Sequence, residues 1–263
     1  MKSLSKYLLI LLTLIPSLSS CRSGYKEKDG KIYYIWTNGG NWTRESTLLE
    51  DADAKTFEII KAHINVHLGK DKSHVFVDGS ILEHADPNTF EQVDAYYWKD
   101  RNNVYLIQFG GKDCRIKDAD PKSFKVLKNY NWSLDNNNVY FEFDKLNDAN
   151  PKSFEALNEN WGKDNKYYYF KDQRLDSLDY ASAEIVIAHF RNEPARPSEY
   201  VKDNHHLYYR TKLVKDANPT TFKADGSGSF GHDDKYMFNR EKNNGLITEA
   251  YKTKYIDSRK KNN

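Results

Sequence analysis

The sequence predicts a mainly β protein made of tandem β-meander or hairpin repeats with short helical turns, arranged as a propeller-like ring or a curved open array. Three observations carry this expectation. Two short phrases alternate along the chain, their copies recur about every 30 residues, and the composition is rich in aromatics but poor in aliphatics. Only 38% of the 263 residues are hydrophobic, yet 14% are aromatic and 19 are tyrosines. Few aliphatics with many tyrosines suit a shallow, divided core rather than one deep one.

The first phrase stands as Asp118-Ala119-Asp120-Pro121-Lys122-Ser123-Phe124, as Asp148-Ala149-Asn150-Pro151-Lys152-Ser153-Phe154 and as Asp216-Ala217-Asn218-Pro219-Thr220-Thr221-Phe222. Weaker copies run from Asp51 to Phe57, with Ala54 in place of proline, and from Ala85 to Phe90. A degenerate copy, Asp179-Tyr180-Ala181-Ser182, falls where the sixth is due. The phenylalanines of the first four copies are 33, 34 and 30 residues apart. Asp or Asn before Pro suits a helix N-cap followed by the first helical position, where the missing N–H costs nothing. The phrase therefore starts one helical turn and drops its Phe into the core.

The second phrase stands as Asp71-Lys72-Ser73-His74-Val75-Phe76, Asp100-Arg101-Asn102-Asn103-Val104-Tyr105 and Asp135-Asn136-Asn137-Asn138-Val139-Tyr140. Looser copies begin at Asp29, Asp164, Asp203 and Asp234. Asp and Asn favour turns, and the Val-Tyr that follows favours a strand. Aromatics before the turn (Tyr97-Trp98, Trp132, Trp161) close a preceding strand. One unit thus reads strand, polar turn, strand, helical turn. Seven turn phrases suit a ring, because closure protects strand edges. An open stack needs capping ends, which the atypical first and sixth units would supply. The balance leans slightly toward closure or strong curvature. The run from Ala183 to Phe190 fits neither phrase and reads as an inserted helix or a long strand.

The alternation of the two phrases resembles the DKNYY family of repeat lipoproteins and exported bacterial proteins, over roughly residues 26 to 245. The resemblance implies repeats and export, and it brings no assigned activity.

The N-terminus reads as an export signal. Lys2 and Lys6 precede a short apolar run, Tyr7 to Ile15, and then Pro16-Ser17-Leu18-Ser19-Ser20-Cys21. Small residues before the cysteine, with Leu18 three positions back, resemble the lipobox of bacterial lipoproteins. That resemblance implies cleavage before Cys21 and acylation of the cysteine. The expected organisation is a signal peptide over 1–20, a lipidated N-terminus and tether over 21–28, repeats over 29–245 and a tail over 246–263. The expected partner of Cys21 is the membrane of the cell envelope. The outer membrane is favoured, since Arg22 is not the Asp that retains some lipoproteins at the inner membrane. Only Cys21 and Cys114 are present, so acylation of the first leaves the second unpaired and excludes a disulfide framework. Removing Lys2 and Lys6 with the signal leaves 38 basic against 38 acidic side chains. That balance gives no electrostatic footprint for nucleic acid.

Candidate sites are sparse. His63 and His67 stand four apart and would share one helix face, as zinc ligands do. Ile64 occupies the place where a metalloprotease needs Glu, and no Cys or clustered carboxylate joins His74 and His84 nearby, so solvated or partly packed histidines are the plainer reading. The Asp-Ala-Asp phrases lack the spaced oxygens and central glycine of a calcium loop. Capping explains them, and neither metal nor cofactor is expected. No Gly-x-Ser-x-Gly elbow exists, and Cys114 reads as a small apolar strand residue. Trp98, Trp132 and Trp161 recur at one place in the unit, as core residues do. Trp36 and Trp42 flank a Gly-rich segment outside the phrases and are the candidates for a ligand surface. The expected function is a non-enzymatic envelope lipoprotein that binds a protein or glycan. The alternative is an envelope hydrolase acting on cell-wall or host polymers, which requires one unit to break the pattern with histidines and acids around a shared pocket.

Overall fold

The computed structural model describes residues 23–62, 65–108, 111–128, 131–189, 194–226 and 228–257. Seven small antiparallel units follow one another along the described chain, in six sheets. The first has three strands, Gly24–Lys28, Lys31–Thr37 and Arg44–Leu48. The second sets the pattern: Glu58–Ile60, Leu68–Lys70, Val75–Val77 and Ser80–Ile81. The third is built on Glu91–Asp94, Tyr97–Lys99 and Val104–Leu106, with a single bridge from Tyr105 to Arg115 in place of a fourth strand. The fourth is centred on Trp132–Leu134 and Val139–Phe141, and the fifth on Trp161–Lys163 and Tyr168–Phe170. In the sixth, the run outside the phrases forms the strand Glu184–His189, paired with Arg196–Lys202. Its end also pairs in parallel with Lys223–Asp225 of the seventh unit, through Ala188–Ala224 and His189–Asp225. The last two units therefore share one eight-stranded sheet.

Each inner sheet packs against a neighbour on both faces, which explains the buried three-residue apolar run after its turn. In Val139-Tyr140-Phe141, Tyr140 faces the third unit, while Val139 and Phe141 face the fifth. The same alternation sends Tyr169 backward and Tyr168 and Phe170 forward. Side chains at period two serve two neighbouring sheets at once. The apolar core is accordingly divided into six clusters, one at each junction between consecutive units. Among the described residues, seven units with six such junctions leave no cluster joining the first unit to the last. Of the two expected arrangements this is the open array.

The phrase phenylalanine is the keystone of most junctions. Phe154 lies 5.2 Å from the Trp132 ring of the preceding unit and 5.9 Å from Tyr169 of its own. Phe124 and Phe222 make the corresponding contacts, with Tyr97 and Tyr140 and with Tyr200 and Phe238. Gly162 is required beneath Phe154, since a Cβ there would lie 2.4 Å from Cζ of the ring.

A carboxylate clamp ties the two phrases together. Asp71, Asp100, Asp135, Asp164, Asp203 and Asp233 are all buried. One carboxylate oxygen of each accepts from the amides two and three residues later, as Asp135 does from Asn137 and Asn138, both at 2.7 Å. The other oxygen accepts from the amide of the capping residue in the preceding phrase: Asp53, Asp86, Asp120, Asn150, Asp179 or Asn218, at 2.8–3.0 Å. The phrase Ser or Thr returns the contact, its hydroxyl accepting from the amide after the clamp Asp. Most first phrases make only a hydrogen-bonded turn. The degenerate copy alone lengthens to a 3-10 helix, Tyr180–Ser182.

Two second-phrase copies differ from their sequence reading. In the seventh unit the clamp is Asp233, one residue before the expected Asp234, which instead accepts from the Thr221 hydroxyl at 2.8 Å. Asp29 is exposed and carries no clamp; with Gly30 it forms a tight turn in which both residues have positive φ, 51° and 69°. The ends are closed by added pieces. Gly24–Lys28, within the expected tether, is the opening strand. At the other end Tyr251, in the turn Glu249–Tyr251, lies on the last sheet and donates to Asp225 Oδ2 at 2.7 Å and to the Gly231 carbonyl at 2.9 Å. His232 Nδ1 lies 2.7 Å from the same Asp225 oxygen.

The clamps make the fold acid-sensitive. Burial opposes ionisation of Asp135, Asp164 and Asp203, but their amide donors outweigh it and hold all three carboxyls below the ordinary range. A depressed folded pKa contributes stability that is present above the unfolded value and lost as pH falls through the folded one. Thermal midpoints are expected to hold down to about pH 5 and to fall steadily below about pH 4. A midpoint unchanged at pH 2.5 would remove the clamps from the stability account.

Candidate binding cleft

The first junction departs from the repeat, and there two of the sequence candidates meet. Trp36 is half-buried and stacks on Tyr34, with ring centroids 5.9 Å apart and planes inclined by 17°. The Tyr34 hydroxyl donates to Asp78 Oδ1 at 2.9 Å and lies 3.3 Å from Nδ1 of His67. That same Asp78 oxygen accepts the His67 amide at 2.8 Å and lies 3.1 Å from its ring Nδ1. Tyr25 joins from the opening strand, donating to the His67 carbonyl at 3.2 Å and accepting from the Gly79 amide at 3.1 Å. Burial pushes both tyrosines up, and the Asp78 carboxylate adds to the effect on Tyr34, so both hydroxyls stay protonated.

Local chain geometry sets this arrangement. Asp78 and Gly79 form a tight turn with φ of 46° and 82°, and a Cβ on Gly79 would lie 2.8 Å from the Tyr34 ring. Glycine there lets the first unit close onto the second. Beside the cluster opens a cleft of about 790 Å³, lined by Tyr25, Ile59, Ile60, Val66 and His67 among others. Ile59 leaves 61% of its surface exposed at the rim.

Trp42 stands apart from this group. It is 83% exposed, has φ of 60° and sits in a braced turn, its amide donating to the Asn38 carbonyl at 2.8 Å. Asn38 Nδ2 in turn donates to Glu45 at 2.7 Å. Trp98, Trp132 and Trp161 are core residues of the junctions. Cys21 and His63 lie outside the described residues. Cys114 is buried in the cluster between the second and third units, and burial raises its thiol pKa, the opposite of what a reactive thiolate needs. Among the described residues, no three His, Cys, Asp or Glu side chains come together to hold a metal ion.

Register comparison explains the His67–Asp78 pair. The Asp78 amide donates to the His67 carbonyl, and the same cross-strand bond joins Ile107 to Tyr96, Glu142 to Asn131, Lys171 to Asn160, Arg210 to Glu199 and Arg240 to Ser229. At two of the six rungs the side chains also pair, as His67 with Asp78 and as Glu199 with Arg210. At five of the six rungs the first residue has a positive φ, between 46° and 57°, whereas Ile107 of the third unit lacks it and is buried; the side chains on the five turns vary. Sequence reading missed Asp78, Tyr25 and Tyr34, although Asp78-Gly79 between apolar residues is a recognisable hairpin signal.

Fold and edge together define a class: an open stack of small β-sheets, each clamped to the last, with its variable residues on one row of turns. The particular family is equally plain. The chain belongs to the DKNYY family, whose sequence profile matches residues 3–109 and 97–243. No curated protein matches it.

Proposed function

We propose that the chain is a non-enzymatic envelope lipoprotein, anchored through an acylated Cys21, whose stack binds a protein or glycan partner. The observation that carries this reading is the row of five tight turns, at Asp78, Glu142, Lys171, Arg210 and Arg240, that share one positive-φ backbone geometry and differ in their side chains. A scaffold that fixes backbone while varying an edge is how repeat arrays present contact surfaces. The exposed Trp42 and the cleft beside Trp36 and His67 extend that surface to the first junction. The small residues before Cys21 supply the anchor, and the outer membrane is the favoured location.

A second reading rests on the same cleft. A histidine held by a carboxylate and a tyrosine beside a cavity is the local break that an envelope hydrolase requires. Against it, the His67–Asp78 pair occupies the rung that Glu199 and Arg210 fill as an ordinary ion pair.

Cell fractionation, protease shaving and envelope binding test these readings. The native chain is expected in the membrane pellet and Cys21→Ala in the soluble fraction; an unchanged pellet for Cys21→Ala removes the anchor. Loss of the protein to protease on intact cells, with a periplasmic marker spared, places the edge outside the cell. Isolated envelope material is expected to retain the mature chain, and Trp42→Ala is expected to weaken that retention at least threefold. Turnover of cell-wall polymer that His67→Ala abolishes would replace the scaffold reading with the enzymatic one.

A further inference from the structure

The turn edge changes charge along the stack. Its first-position residues run Asp78, Ile107, Glu142, Lys171, Arg210 and Arg240, acidic toward the N-terminal end and basic over the last three units. Where the last three units meet, the edge forms a cleft of about 400 Å³ lined by Gln173, Arg210, Lys212, Asn239, Arg240 and Lys242 among others. Arg210-Thr211-Lys212 and Arg240-Glu241-Lys242 are the same turn in consecutive units, so Arg210 and Arg240 hold equivalent positions.

This cleft is built before any ligand arrives. Glu199 holds Arg210 by two contacts, at 3.0 and 3.2 Å, and also accepts from the Tyr209 hydroxyl. The Arg210 guanidinium lies 5.4 Å from the Phe170 ring centre and 5.3 Å from that of Tyr209. The Thr211 hydroxyl donates to Gln173 Oε1 at 3.0 Å, tying the fifth and sixth units and leaving the Gln173 amide N–H groups directed to other partners. Tyr200 fixes the last turn by donating to the Arg240 carbonyl at 2.9 Å. Lys212 leans on Glu241 at 3.6 Å. Arg240 and Lys242 have no ion pair among the described residues and are exposed.

We propose that this cleft binds an acidic glycan, a saccharide chain whose sugars carry carboxylates. Of the four cations, Arg210 is paired with Glu199 and Lys212 with Glu241, so Arg240 and Lys242 leave a surplus of two positive charges that calls for an anion, and the planar guanidinium of Arg240 matches a carboxylate bidentately. Gln173, Thr211 and Asn239 supply neutral hydrogen-bonding groups between the cations, as alternating hydroxyls and carboxylates require. Apart from the ring of Tyr209, which is buried, the lining is polar, so an acidic peptide would find little apolar anchorage there. The inference rests on the scaffold reading and names its partner class at one place. The cleft belongs to the fifth, sixth and seventh units, whereas Trp36 and His67 belong to the first and second, so the two clefts share no unit.

The test is calorimetric titration of the full mature chain at physiological salt with a galacturonic acid tetramer, beside Arg240→Asn/Lys242→Gln. Asn tolerates the positive φ of 57° at position 240, so the turn survives. The acidic tetramer is expected to bind, the neutral galactose tetramer to bind at least tenfold more weakly, and the double variant to lose at least tenfold for the acid alone. Equal affinity of variant and native chain, no binding of the acidic tetramer, or tighter binding of a glutamate peptide each overturns the assignment. If the variant still adheres to envelope material like the native chain, the cleft inference falls and the scaffold reading stands. If the native chain adheres to no envelope material, the scaffold reading falls with it.

Discussion

Asp135→Ala is expected to destabilise the chain by about 3–5 kcal/mol, the largest loss for any single polar side chain of the repeat. The carboxylate is buried and accepts four hydrogen bonds: from the Asn137 and Asn138 amides at 2.7 Å, the Asp120 amide at 3.0 Å and the Tyr140 hydroxyl at 2.8 Å. Alanine leaves three amides and a buried hydroxyl without that acceptor. Each unsatisfied donor costs about 1–3 kcal/mol, reduced where the turn opens to water. Asp135→Asn keeps one acceptor oxygen and loses the charge, and is expected to cost about half as much. Asp118→Asn provides the control. Asp118 belongs to the first phrase, has φ of 63° and reaches only an exposed contact with Lys145 at 3.3 Å, so its change is expected to stay within about 0.5 kcal/mol. Urea midpoints of the three variants decide the matter. If Asp135→Ala falls with Asp118→Asn, the clamp is decoration.

These two aspartates show where sequence reading reaches its limit. Both sit in recurring phrases, and recurrence alone ranks them equally. The local propensities of each phrase were legible: Asp and Asn as caps and turn formers, Pro after the cap, Val-Tyr as a strand. So was the divided aromatic core, because Trp132 and Trp161 recur in step with the unit; Trp98 is core as expected but one residue out of step, with Tyr97 in the equivalent place. The clamp itself was not legible, since it joins an oxygen of Asp135 to an amide 15 residues earlier. The phrase Ser and Thr hydroxyls were missed for the same reason, as their partners lie 12 to 22 residues away. Asp233 and Asp234 are indistinguishable by propensity, and only the register of Phe238 against Gly231 selects the first. The open arrangement follows from which faces carry clusters, a property of tertiary packing. At the first junction the Gly-rich segment drew attention to Trp36 and Trp42, yet the side chains that gather around Trp36 are Tyr34, His67 and Asp78, scattered over 45 residues.

A linear stack coupled only between neighbours should fail at one place when one junction is weakened, and Trp161→Ala is the sharpest way to show it. Trp161 is 1% exposed, stands edge-on to Phe170 at 4.9 Å, and donates through Nε1 to the Ser198 carbonyl of the sixth unit at 2.9 Å. It shares one cluster with Phe170 and Leu175 on its own side and Val201 and Tyr208 on the other. Truncation removes the ring from that cluster and leaves a buried carbonyl without its donor, at a cost of about 3–5 kcal/mol. In an array whose stability is a sum of unit and junction contributions, this cost falls on the coupling between the fifth and sixth units. The native chain is expected to unfold in one broad urea transition, and the variant in two, with the last two units melting apart from the rest. Hydrogen exchange should locate the early loss of protection in the strands between Glu184 and Leu246. Trp42→Ala, at an 83% exposed position, is expected to leave the transition within about 0.5 kcal/mol of native. A single transition for Trp161→Ala, lowered evenly across all seven units, would mean that coupling reaches beyond adjacent sheets, and the division of the core into six independent clusters would then be wrong as an energetic statement.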